Sequence, residues 1–400
     1  MKIGIIKERK SPPDRRVVLS PKKCKEILIE YPQLTIKVES SDIRVFSDEA
    51  YRKYGIEVVN DVSDCDVLLG VKEVPIEELI PNKEYFFFSH TIKKQPYNKK
   101  LLQAIINKNI QLYDHEVITN KQGVRLVAFG RYAGIVGAYN GLRTYGLKTE
   151  LFQMPKAELL HNQQSLIDEM LKVDLPNVKI VLTGCGRVGN GAREMLVGME
   201  MREVTVNEFL NEEFNEPVFV QIDALDYNIR KDGFVKGFQD FFSHPGAYES
   251  NFMRFAKKAD IYIACHFYGD NSPFIFTRED AKDPNFNIKV VADISCDIDG
   301  PVASTLKAST IADPIYGYHS HLEKEVDFLN EKAIAVMAVD NLPCELPKDA
   351  SDGFGDSFAK HVIPAFFNND EDGVLKRARM TGKGKLKKRF KYLQDYVDGE

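Results

Sequence analysis

Short apolar runs, each closed by charged or polar residues, recur along this chain and constrain its fold before anything else does. KIGIIKE is followed by DVLLGVKE, EYFFFSH, IQLYDHE, VKIVLTGCG, ADIYIACH, IKVVADIS and EKAIAVMAVDN. Runs this short and this continuously apolar suit strands buried on both faces, as in a parallel sheet. Between them, PKKCKEILIEY, NKKLLQAIINK, GAREMLVGME and ESNFMRFAKKAD place apolar residues every three or four positions, the period of a helix packed along one stripe. Strand alternating with helix predicts an α/β chain with largely parallel sheets. Parallel strands need right-handed crossovers, so the runs divide into two sheets, one before about residue 125 and one from about 178 to 312, and hence into two α/β domains.

Between the sheets lies FGRYAGIVGAYNGLRTYGLKTE, in which Gly130, Gly134, Gly137 and Gly141 recur at intervals of three and four. On a helix this spacing admits a second backbone at close range; the alternative is a glycine-weakened surface helix or loop. The tail from Lys383 reads as a solvated amphipathic helix with a basic face. With 54 basic and 59 acidic residues the chain carries a formal charge of -5, which gives no broad positive field for nucleic acid or an anionic membrane. No stretch approaches the roughly 18 to 20 apolar residues of a bilayer span, and MKIGIIKERK turns charged before a signal-peptide apolar region can form, so a cytoplasmic location is expected. Cys24, Cys65, Cys185, Cys265, Cys296 and Cys344 stand singly, with no CxxC pair and no zinc spacing, which predicts reduced thiols and no metal.

The clearest chemical signal is VKIVLTGCGRVGNGAREMLVGMEMREVTVNEF, an apolar strand, then Gly184-x-Gly186-Arg187-Val188-Gly189, then a helix and a second strand. Gly184 permits the tight turn, Gly186 lets backbone approach a pyrophosphate, and Gly189 allows helix and strand to pack. The helix start offers unpaired N–H groups and a positive dipole end. A dinucleotide is therefore expected here, although a glycine turn that binds no nucleotide presents the same residues. Glu208 lies 22 residues beyond Gly186, at what reads as the end of the second strand, near the roughly 20-residue offset of an acid that receives ribose hydroxyls. A carboxylate there repels a 2′-phosphate, so NAD is expected, with NADP the other candidate.

Composition and periodicity do not say which reaction the nucleotide serves, so the first sheet has to. Lys72-Glu73 follows DVLLGV, His90 follows EYFFFS and Glu116 follows IQLYDH. Parallel neighbours with their carboxyl ends on one side gather these groups at one mouth, where ligands sit in open α/β sheets. A lysine against glutamates with a histidine nearby forms a proton-transfer set, since burial lowers a lysine pKa and histidine titrates near neutrality. Taken singly, each is also explained as solvated charge at a strand end. In the loop after the first strand, Asp14-Arg15-Arg16 offers an arginine that can grip a carboxylate with two parallel hydrogen bonds, or is a surface charge run.

These residues, in this order, resemble the family that joins alanine dehydrogenases, the transhydrogenase nucleotide-binding subunit and lysine-forming saccharopine dehydrogenases. KERKSPPDRRVVLSP is similar to its N-terminal segment, with GVKEVP following in place. YFFFSHTIKKQ, YDHEVI, RLVAFGRYAG, VADISCD and VDNLPCELPKDASDGFGD are similar to the saccharopine dehydrogenase and lysine–ketoglutarate reductase branch. The resemblance implies two Rossmann-like domains with parallel sheets and an active site in the interdomain cleft. Residues 1–130 with 340–400 form the substrate domain and 131–339 the dinucleotide domain. The implied reaction is NAD-dependent oxidation of saccharopine, with imine hydrolysis to L-lysine and 2-oxoglutarate. By matching motif, Lys72 is the base for the amine proton and His90 the acid/base that activates water. Glu73 and Glu116 tune them, and Arg16 holds a substrate carboxylate, with Arg125 and Arg131 as further candidates.

The residues agree with that chemistry: hydride leaves only as positive charge builds on nitrogen, so the amine must first be neutral. The stretch FNEPVFVQIDALDYNIRKDGFVKGFQDFFSHPGAYESNF is longer than in compact saccharopine enzymes and is similar to the reductase half of bifunctional lysine-degrading enzymes. That leaves a lysine–ketoglutarate reductase using NADPH and an alanine dehydrogenase-like enzyme as alternatives, and a non-catalytic nucleotide sensor as a third. Asp293, in DISCDIDG, is expected on the nicotinamide side of the cleft, and turn hydrogen bonding accounts for it as well. The expected partner is an amino-acid substrate, on a monomer or small homo-oligomer.

Overall fold

A computed structural model describes residues 1–269 and 271–399. The chain divides into two units, Met1–Phe129 with Pro347–Glu400, and Gly130–Leu346.

In the first unit the strands are β1 Lys2–Ile5, β2 Thr35–Glu39, β3 Glu57–Val59, β4 Val67–Leu69, β5 Glu84–Phe87 and β6 Gln111–Asp114. They lie in the order β3-β2-β1-β4-β5-β6, every pair parallel. Helices α1 Pro21–Glu30, α2 Asp48–Lys53 and α3 Lys99–Asn107 join them. The order reverses between β1 and β4, the switch point outside which open α/β sheets bind ligands. Both faces of the sheet are covered, which is why β4 and the ends of β1, β5 and β6 are wholly apolar or buried.

The tail is not a solvated helix. After a short hairpin, Lys388–Leu393 forms a 3₁₀ turn and Gln394–Asp398 a short helix. Phe390, Leu393 and Tyr396 join the core of Leu68, Phe87, Leu102, Ile105 and Leu112. Three apolar residues at three-residue spacing outweigh the basic residues between them, because burial of two aromatics and a leucine is favourable by several kcal/mol.

In the second unit β7 Lys179–Thr183, β8 Arg202–Glu203, β9 Val218–Ile222, β10 Asn228–Arg230, β11 Tyr248–Ser250, β12 Ile261–Ala264, β13 Val290–Asp293, β14 Ile315–His319, β15 Lys324–Val326 and β16 Ala333–Met337 are joined by helices. Eight of them form one sheet in the order β15-β14-β16-β13-β12-β7-β9-β8, parallel except where β14 meets β16 and β15. The order reverses between β7 and β12, beside the glycine loop. Helix α4 Gly130–Thr149 packs on α6 Arg187–Gly198, with α5 Gln163–Met170 preceding β7 and α7 Val206–Asn211 following β8. The long stretch after β9 folds as the small β10–β11 sheet and leaves Phe234, Val235, Phe238 and Phe242 exposed.

Candidate functional site

At the switch point of the first unit, the ends of β1, β4 and β5 are stitched together by backbone hydrogen bonds. Ile6 donates to Leu69, Gly70 to Phe86 and Phe88 to Val71, at 3.0, 2.9 and 3.0 Å. This register brings Lys72, Glu73 and His90 to one rim, each half-buried. Glu73 lies between the Lys10 ammonium at 2.5 Å and His90 Nδ1 at 3.4 Å. Burial raises a carboxyl pKa, but these two partners win and hold Glu73 at about 2. The oxygen facing His90 makes no aligned hydrogen bond, so it keeps a lone pair directed at the imidazole. His90 itself takes φ of 52°, a left-handed backbone that costs a non-glycine residue about 1 kcal/mol or more.

Arg16 and Asp14 form a buried bidentate pair, 3.0 Å from Nε and 2.6 Å from Nη2, and the guanidinium lies 4.2 Å above the Phe129 ring. Burial pushes Asp14 up, yet Arg16, helped by the charge of Lys72, holds the carboxyl below its usual range. Glu116 pairs with Arg125 at 3.1 Å. Arg131 belongs to the first turn of α4, in the second unit, and its guanidinium is taken up by Glu194 of α6 at 2.5 Å and by Gln163. It ties two helices together.

Two further groups, Glu8 and His115, follow strand ends but are not among the candidates the sequence singles out. Glu8 accepts the backbone N–H of Val71 at 2.7 Å and of Lys72 at 2.8 Å. Burial raises its carboxyl to about 7 against those donors, with Asp14 adding to the rise. His115 is fully buried among Phe86, Phe88, Phe354 and Phe358, with Nε2 2.9 Å from the Gly70 carbonyl.

In the second unit, β7 runs into the glycine loop. Gly184 takes φ of +93°, and a Cβ on it would meet the Cys265 carbonyl oxygen at 2.5 Å; one on Gly189 would meet the Gly184 oxygen at 1.8 Å. Gly186, the N-cap of α6, has nothing within 4 Å of the Cβ position. The turn is thus closed on its protein side and open at Gly186, where the first N–H groups of α6, on Arg187, Val188 and Gly189, lack intrahelical acceptors. That cradle fits the pyrophosphate of a dinucleotide.

Glu208 is not at a strand end. Strand β8 stops at Glu203, and Thr205 caps α7 with Glu208 reaching back to the Thr205 N–H and hydroxyl, both at 2.7 Å. The Thr205-x-x-Glu208 spacing is a capping box visible in the sequence. Moreover β9, not β8, pairs with β7. The acid at its end is Asp223, whose charge adds to burial in raising the pKa of the Cys185 thiol inside the glycine loop. Asp293 is buried at the end of β13 and accepts from Ser295, Cys296 and Thr305, so its carboxylate holds the following turn.

The model for "Alanine dehydrogenase/PNT, N-terminal domain" matches residues 4–136. Across 98% of its length the chain is 26% identical to the alpha-aminoadipic semialdehyde synthase of Arabidopsis thaliana, of which it spans 41%. It is 25% identical to the saccharopine dehydrogenase [NAD(+), L-lysine-forming] of Candida glabrata, over 94% of this chain and 97% of that one. An L-alanine dehydrogenase structure, 16% identical, superposes with a TM-score of 0.66 over 99% of this chain and 100% of its own, which shows a shared fold. Among the described residues no helix is long and apolar enough to cross a membrane.

Within the segment that matches that model, burial lowers the His115 pKa from 6.5 to about 4. The unfolded chain therefore binds this proton first as pH falls. Its contribution is complete above about pH 6.5 and is lost on approaching pH 4, a loss of about 3 kcal/mol. His115→Phe keeps the aromatic surroundings and should flatten the fall in stability between pH 7 and 4.5, as measured by urea unfolding. Equal slopes for the variant and the parent would refute this assignment.

Proposed function

We propose that this chain is an NAD-dependent saccharopine dehydrogenase that oxidises saccharopine to L-lysine and 2-oxoglutarate. The observation that carries the reading is the convergence of Lys72, Glu73 and His90 at one switch-point rim, in a chain alignable over nearly its whole length with lysine-forming saccharopine dehydrogenases. A nicotinamide dinucleotide held at Gly184–Gly189 supplies the hydride acceptor, with Asp223 in place of Glu208 as the candidate for its ribose hydroxyls. The proposal requires one substrate to meet both units.

Lys72, in its neutral form, takes the proton of the secondary amine and so frees the nitrogen lone pair to form the C=N bond. His90 takes a proton from the water that attacks the imine carbon, and ionised Glu73 stabilises the resulting imidazolium. Glu116 holds the Arg125 guanidinium in place through their ion pair. Arg16 and Arg125 are the guanidiniums assigned to substrate carboxylates, and each must exchange Asp14 or Glu116 for its new partner. Six free thiols suit a reducing, cytoplasmic setting.

One observation favours a second reading: the curated relatives include alpha-aminoadipic semialdehyde synthases, of which this chain spans 41% to 46%. The corresponding activity is lysine–ketoglutarate reductase, the same chemistry in reverse with NADPH. The purified chain should form NADH from NAD and saccharopine, and not from L-alanine. Faster oxidation of NADPH with lysine and 2-oxoglutarate would establish the reductase instead. Dinucleotide binding without turnover in either direction would reject both.

A further inference from the structure

The loop after β1 reaches across the switch point and grips the residue proposed as the base. The two oxygens of Glu8 are used separately: Oε1 accepts from the Val71 N–H at 2.7 Å and Oε2 from the Lys72 N–H at 2.8 Å. Successive N–H groups in a strand point to opposite sides, so two that converge on one carboxylate mark a backbone turned into an anion-binding nest. On the other side, the Val71 carbonyl accepts from Phe88 at 3.0 Å, so the peptide leading to Lys72 is held from both neighbouring strands. Gly70 makes this reach available, since a Cβ there would stand 2.8 Å from Ile6 Cδ1 and 3.6 Å from Glu8 Oε1.

We propose that Glu8 is a positioning residue for Lys72, a carboxylate strap that fixes the backbone from which the proposed base projects. The inference rests on the assignment of Lys72 as that base. A negative charge that is largely removed from water and takes up two main-chain donors at a ligand-binding switch point does little for the sheet, since both donors lie beyond the end of β4 at Leu69. What it does control is the orientation of residues 71 and 72. The groups that face it are Asp14 and Arg16 from the following loop and Lys72 itself. With the carboxyl raised to about 7, the strap is fully charged only on the alkaline side of neutrality, so its grip is strongest where a lysine base works.

Glu8→Gln keeps the shape but turns one acceptor into a donor that faces an N–H. Its kcat should fall about tenfold or more at pH 8, with KM for saccharopine changed less than about threefold, the split expected when aim and not binding is lost. In a Lys72→Met background the same change should cost nothing further, because the group it aims is gone. Glu8→Asp, which reaches only one amide, should fall between. Unaltered kcat in Glu8→Gln, or an equal loss in both backgrounds, would overturn the proposal. If Lys72→Met keeps full activity, the catalytic assignment fails by itself. The strap is then judged by hydrogen exchange, where loss of protection confined to the amides of residues 71 and 72 in Glu8→Gln sustains it and unchanged protection rejects it.

Discussion

Lys72→Met is expected to lower kcat for saccharopine oxidation by about 100- to 10,000-fold, the range over which a positioned acid or base contributes, while NAD affinity changes less than about twofold. Methionine matches the length of the stem and removes only the amine. The backbone N–H of residue 72 still donates to Glu8, so the rim keeps its shape. Asp14 loses one favourable charge but keeps the bidentate Arg16 fork, which is the larger influence on it, so stability should change by about 1 kcal/mol or less. Glu73 remains between Lys10 and His90. With its neighbours undisturbed, a large loss can be assigned to the missing proton acceptor, and small primary amines added to the solution should restore part of it. Steady-state kinetics with calorimetric NAD titration checks both halves. Activity within tenfold of the parent would remove Lys72 from the chemistry.

How far a sequence exposes such a site depends on which interactions make it. Lys72, Glu73 and His90 are legible because each follows a short run whose last strand residues are apolar and buried, and parallel order places such ends side by side. The strands that escape notice include β2, where apolar residues alternate with polar ones, and β3, a three-residue strand at the sheet edge. Glu8 sits in KERK, a string that reads as solvated charge, and its partners are main-chain N–H groups that no side-chain pattern reveals. His115 is flanked by the charges of Asp114 and Glu116. Its burial comes from Phe354 and Phe358, more than two hundred residues away along the chain. Glu208 lies off a strand end for a different reason. A fixed offset from the glycine loop presumes that the second strand lies next to the first, whereas β9 takes that place and β8 is at the edge. Local capping chemistry at Thr205 was the better guide.

The glycine helix is the element where a single methyl group should matter most. In α4 a Cβ at Gly134 would stand 1.9 Å from the Val188 carbonyl oxygen and 2.7 Å from the Ala192 nitrogen. The obstacle is the backbone of α6, which cannot rotate away as a side chain would. Gly191 makes the reciprocal contact, with its Cβ position 2.0 Å from the Arg131 carbonyl oxygen, so the two helices interlock at both points. Gly134→Ala must therefore push α4 off α6. Overpacking in a core usually costs about 1 to 3 kcal/mol, and a clash between two main chains belongs at or above the top of that range. For a unit of this size that corresponds to a melting point lower by about 6 to 12 °C. Because Val188 is in the first turn of α6, the shift also disturbs the N–H groups offered at Gly186, and NAD binding should weaken by at least about tenfold. Gly186→Ala provides the contrast. It has φ of -84° and open space at the Cβ position, so stability should hold while NAD affinity falls, because the methyl group occupies the cradle itself. Thermal unfolding and NAD titration of both variants separate helix packing from ligand contact. A Gly134→Ala protein that melts with the parent would show that the close approach of α4 to α6 is not what holds the glycine loop in place.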